Sequence, residues 1–144
     1  MQLQKPLRVK LKDIIKMSYY GRHCDVSVLT DKVLKSVEST EDEILFTTTD
    51  GEIYKMFHAQ DCCERVYIES IVGDLQDLVG EPIVRAEEST DLFDIIRNID
   101  KDHGSDESHT WTFYKFATRK GYVDIRWYGS SNGYYSESVS FVKE

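Results

Sequence analysis

The chain has 144 residues, of which 40% are hydrophobic and 12% aromatic with only two prolines, so it is long enough for one buried core and too apolar to be disordered. Its formal charge of −8 is unevenly placed: residues 1–22 hold six Lys and Arg against one Asp, about +5, which leaves about −13 on the remainder. So acidic a body disfavours nonspecific contact with a phosphate backbone and suits basic protein surfaces, and no apolar run of about 18 residues exists to form a membrane-spanning helix.

The beginning of the chain, MQLQKPLRVKLKD, has charges where a signal peptide needs an apolar stretch, so a cytoplasmic location and a single domain over 1–144 are expected. Val9, Ile14, Ile15 and Met17 approximate helical spacing and predict a short helix over 9–17. DVSVL at 25–29 alternates and is β-branched, predicting a strand, with 33–37 as a weaker strand partner. EILFTTTDGEIYKMFH predicts a hairpin, because Gly51 of the Asp50-Gly51 pair accepts positive φ at no steric cost. VYIESIV at 66–72 reads as a strand closed by Gly73, and DLQDLVG as one helical turn ended by Gly80. EPIVRAEE opens on a proline and suits an edge strand, and Leu92 to Ile99 has helical spacing behind a cap at Thr90 or Asp91. NIDKDHGSDESH reads as a loop.

The last third predicts an antiparallel meander of TWTFYKFAT, GYVDIRWYG and GYYSESVSFV, separated by Arg119-Lys120 and by Ser131-Asn132 turn material. A three-residue turn with Gly133 left-handed sets Glu137, Val139 and Phe141 opposite Trp127, Ile125 and Val123 and keeps one face apolar. The expected fold is α+β: a mostly antiparallel twisted sheet of about five to seven strands, with two or three short helices covering it.

Two adjacent cysteines in FHAQDCCERV carry the most chemistry. A stable disulfide is disfavoured by a reducing compartment, and an odd count of three cysteines leaves one without a partner. Packing as small buried hydrophobes is the simplest reading. His58, Asp61, Cys62 and Cys63 also offer four donors of the kinds zinc takes, provided the chain bends near Gln60-Asp61, since successive side chains on a strand point to opposite faces. Without a bend, Cys24, His23, His103 or His109 would have to complete a site from elsewhere. A thiol nucleophile activated by His58 is a third reading.

WYGSSNGYYSES gathers Tyr128, Asn132 and Tyr134 close to Arg126, a mixture of rigid aromatic area and adaptable hydrogen bonding that suits a recognition surface. Cross-strand packing of the tyrosines is the plainer alternative. No Gly-rich phosphate loop, zinc-protease helix or kinase motif set is present.

Two blocks, HAQDCCE at 58–64 and RWYGSSNGYYS at 126–136, resemble a family of small uncharacterised phage and prophage proteins, over a core of about residues 43–142. The resemblance implies a phage accessory protein acting in the host cytoplasm. Small acidic proteins of this type are often host-defence antagonists, so the resemblance extends to an anti-CRISPR inhibitor of the type II effector Cas9, with a structural zinc on His58, Cys62 and Cys63 and with Asp61 or Cys24 as fourth ligand. The expected partner is then a basic, nucleic-acid-handling defence protein rather than DNA itself. A nucleotide-signal sponge using Arg126, Tyr128, Asn132 and Tyr134, and a thiol-dependent enzyme, are the alternatives.

Overall fold

A computed structural model describes residues 22–90 and 108–144. In chain order the elements are β1 (Arg22–His23), a 3-10 turn (Val26–Leu29), β2 (Leu34–Ser39), β3 (Glu43–Thr48), β4 (Ile53–Phe57) and β5 (Arg65–Val72). A second 3-10 turn (Leu75–Leu78) follows, then β6 (Arg85–Ser89), β7 (Ser108–Thr118), β8 (Gly121–Ser131) and β9 (Ser140–Lys143). They form a five-stranded sheet in the order β1-β9-β4-β3-β2 and a four-stranded sheet in the order β5-β8-β7-β6, with antiparallel pairing throughout. Among the described residues there is no α-helix, so the fold is nearly all-β and the expected α+β class is corrected. The helices expected over 9–17 and 92–99, and His103, lie outside the described residues, as does most of the loop expected at 98–109; its last two residues, Ser108 and His109, open β7. No described helix is long and apolar enough to cross a membrane.

Alternation explains which residues hold the two sheets together. Ile44, Phe46, Tyr54, Met56 and Phe141 of the first sheet and Tyr114, Phe116, Val123, Ile125 and Trp127 of the second belong to one buried cluster. Phe46 meets the Phe116 ring at a centroid distance of 5.5 Å and the Phe141 ring at 5.9 Å, and the Trp127 indole N–H donates to the Met56 sulfur at 3.3 Å. The Phe46–Phe116 and Trp127–Met56 contacts cross between the sheets, so the core is the layer between them.

Several expectations hold at the level of elements. The β3–β4 hairpin turns at Asp50-Gly51, with Gly51 at φ 92°. The 74–80 segment is a 3-10 turn capped by the Asp74 carboxylate on the Gln76 amide and ended by Gly80 at φ 90°. Among the described residues β6 is an edge strand that pairs with β7 alone. The β7–β8 hairpin turns at Arg119-Lys120.

Two elements differ. DVSVL is not a strand: the Asp25 carboxylate accepts from the Ser27 amide at 2.9 Å and starts a 3-10 turn that buries Val26 and Leu29 three residues apart. The meander stops at β8, whose second neighbour is β5, while β9 crosses to the other sheet and pairs with β4 and β1. Glu137, Val139 and Phe141 still turn inward, because the core is shared by both sheets.

Phe46 is fully buried at the contact between sheets, whereas Tyr122 is 64% exposed. Phe46→Ala is expected to cost about 3–5 kcal/mol, seen as a lower urea midpoint at unchanged slope, and Tyr122→Ala less than about 0.5 kcal/mol. Comparable losses for the two variants would contradict this placement of the core.

Candidate functional site: two linked sheet crossings

The chain leaves the first sheet after β4 and enters the second at β5 through residues 58–64, and it returns from β8 to β9 through residues 132–139. Each crossing is organised by a buried glutamate. Glu64 is 3% exposed; its carboxylate accepts from His58 Nε2 at 2.7 Å, from the Asp61 amide at 2.8 Å and from the Cys62 amide at 2.9 Å. Gln60 donates from Nε2 to the Glu64 carbonyl at 2.7 Å and to the Cys62 carbonyl at 3.2 Å. The segment is thus wrapped around its own last carboxylate.

Glu137 does the same for the return crossing, accepting from Thr110 Oγ1 at 2.7 Å and from Ser131 Oγ at 2.5 Å. Gly129 lets that crossing lie close, since a Cβ there would stand 2.9 Å from the Glu137 carbonyl oxygen. His58 joins the two crossings by donating from Nδ1 to the Ser138 carbonyl at 2.7 Å. The Glu64 carboxylate and the Ser138 carbonyl thus engage both nitrogens of the His58 ring. Burial pushes the Glu64 carboxyl upward, but the His58 ring and the Cys62 and Asp61 amides outweigh it and hold the group down at about 2.

The five expected zinc ligands do not assemble into one donor set. Cys62 and Cys63 are exposed and joined to each other as a disulfide, against the expectation that a disulfide would not form. Asp61 is exposed, with only its backbone amide turned to Glu64. His58 has both nitrogens engaged. Cys24 lines a separate depression of about 470 Å³ with Arg22, Lys32, Glu52, Tyr54 and Lys143, where burial pushes its thiol up. Among the described residues no group of three or more His, Cys, Asp or Glu is placed to hold a metal ion. In that second depression Lys143 and then Lys32 hold the Glu52 carboxyl down at about 2, with contacts of 2.9 and 3.0 Å.

The expected recognition residues divide. Arg126 is on the outward face of the second sheet, where it is bound to Glu69 at 2.6 Å and lies over the Trp111 ring at 5.5 Å. Tyr128 is buried, 4.6 Å from the Trp111 ring. Asn132 and Tyr134 belong to the return crossing instead: the Asn132 side chain accepts from the Tyr134 amide at 2.9 Å, and Tyr134 is 81% exposed, set edge-on against Tyr135. Gly133 has φ 96° as expected, but it opens the crossing to the other sheet instead of closing a hairpin on β8.

Glu64, Glu137 and Ser138 were not singled out by residue type. Spacing offered one signal: a glutamate three residues after Asp61 reaches back to the Asp61 amide, as the last residue of a capping box does.

A two-sheet β protein with interlocked crossings at one end is the class these features define. Residues 13–141, which contain both crossings, match the family described as Domain of unknown function (DUF7448), and the chain belongs to that family. No curated protein and no solved structure matches the chain.

Glu64→Gln replaces an acceptor oxygen with an amide that faces donors, so it is expected to cost about 3 kcal/mol. Because the folded carboxyl titrates near 2 and an ordinary one at 4.5, its contribution is present above 4.5 and is lost as pH falls from there through 2. Glu52 acts over the same range and stays in the variant. Urea midpoints of wild type measured down this range should therefore fall more steeply than those of Glu64→Gln. Parallel curves would remove Glu64 as the anchor.

Proposed function

We propose that this protein acts by binding a basic protein surface, through the end of the molecule where the two crossings lie side by side. The observation that carries the reading is the His58 bridge between Glu64 and the Ser138 carbonyl, which fixes two loops against one another before any partner arrives. Preorganised loops lose little conformational freedom on binding, and an exposed tyrosine is a low-entropy anchor. Tyr134 and Asp61 are exposed on these loops, and Asp42 and Glu43 border the His58 side of the same end.

The acidity of the body favours a partner whose own surface is built for nucleic acid. With the resemblance to phage proteins, that supports a more specific reading: a phage-encoded antagonist of a host defence effector such as Cas9, acting in the host cytoplasm by occupying a nucleic-acid-binding surface. The nucleotide-sponge alternative is weaker, because Arg126 is committed to Glu69 and Tyr128 is buried, which closes the face it would need. The thiol-enzyme alternative lacks its base, because His58 has no nitrogen left to take a proton. Structural zinc is not part of the proposal, since the five residues expected to hold it are not gathered into one donor set among the described residues.

Titrating purified, nucleic-acid-free Cas9 against the chain at several salt concentrations tests the reading. The expected result is saturable binding that weakens as salt rises, with a loss of about tenfold or more in Tyr134→Ala and in Asp61→Asn at unchanged melting temperature. No binding would overturn the Cas9 reading. Equal binding of wild type and both variants would overturn the assignment of this end as the contact.

A further inference from the structure

We propose that Cys62 and Cys63 form a reversible thiol–disulfide exchange site that reacts with low-molecular-weight thiols. Three observations converge. Both residues are exposed, so a small reagent reaches either sulfur without unfolding, whereas Cys24 is partly covered. The backbone around them is held by the Glu64 carboxylate, the Gln60 amide and the His58 ring, and none of these bonds uses sulfur. Opening the sulfur bond therefore leaves the crossing in place. Consecutive positions on a pinned loop also keep the two freed thiols within reach of each other, so reclosure is intramolecular.

The exchange balances as follows. A thiolate attacks one of the two sulfurs, the bond between Cys62 and Cys63 breaks, a mixed disulfide forms, and the other cysteine leaves as a thiolate that takes a proton from water. A second thiolate then attacks the small-molecule sulfur of the mixed disulfide, releasing the small-molecule disulfide and the second cysteine. The protein gains two electrons and two protons in all, and the thiol reagent supplies them. The reverse reaction with the oxidised reagent restores the pair.

The surroundings give this site a distinguishing preference. Asp61 is exposed beside the pair, so the glutathione thiolate, which also carries carboxylates, approaches against more repulsion than the dithiothreitol thiolate, which has no other charged group. Reduction by glutathione should accelerate with salt more strongly than reduction by dithiothreitol.

The test is differential alkylation of the intact native protein, followed by peptide mapping. After equilibration with oxidised glutathione, Cys62 and Cys63 should resist alkylation. After reduced glutathione or dithiothreitol both should be alkylated while the protein keeps a cooperative melting transition. Cys62→Ser and Cys63→Ser should each retain glutathione on the remaining cysteine as an adduct that dithiothreitol removes. Alkylation of both cysteines in the oxidised buffer would overturn the proposal, as would resistance to both reductants until denaturant is added, or the absence of the adduct in both variants.

Discussion

A carboxylate removed from water is costly unless every lone pair that matters meets a donor, and Glu64 meets that condition with the His58 ring and two backbone amides. The donors come from residues three and two positions before it and from His58 at the end of the preceding sheet. Satisfying the glutamate and bending the chain are therefore one event. Because the same ring also reaches the Ser138 carbonyl, the shape of the first crossing sets the position of the second. The arrangement of the two sheets depends on this, since the crossings are the covalent links between them on either side of β5–β8.

Around that link the fold is conventional in its energetics. The layer between the sheets is filled by aromatic and branched side chains, and indole-to-thioether and ring-to-ring contacts cross it. Two polar groups that enter it are compensated, Glu137 by two hydroxyls and Trp127 by the Met56 sulfur, whereas the buried Tyr114 hydroxyl has no hydrogen-bond partner among the described residues. Exposed ion pairs such as Arg119 with Glu81 and Lys115 with Asp124 contribute little by comparison, because water and salt screen them.

Local chemistry was legible in the sequence wherever one residue type has one use. Asp50-Gly51 marked its hairpin and Asp74 with Gly80 bracketed a 3-10 turn, each for a reason confined to a few residues. Partnership across the sheets was not legible. The alternation of Glu137, Val139 and Phe141 gave their inward face correctly, but a face toward a shared core is the same whichever sheet the strand joins, so β9 was assigned to β8 instead of β4. At 25–29 alternation and three-residue spacing coincide through Val26, Val28 and Leu29, and only the Asp25 cap distinguishes the turn from a strand. In the candidate site, residue types drew attention to the sulfurs and the imidazole, whereas the organising group was the glutamate beside them. A hydrogen-bonding role of that kind appears only once the loop geometry is known.

The position of β9 has a consequence for how the molecule comes into being. It lies between β1 and β4, and among the described residues β1 pairs with no other strand, so Arg22 and His23 must wait for Lys143 and Val142. During synthesis the β3–β4 and β7–β8 hairpins can form as they emerge, but the first sheet lacks an inner member until β9 has followed them. Until then the edge of β4 stands open to strands of other nascent chains, and the last few residues act as the clasp that shuts it.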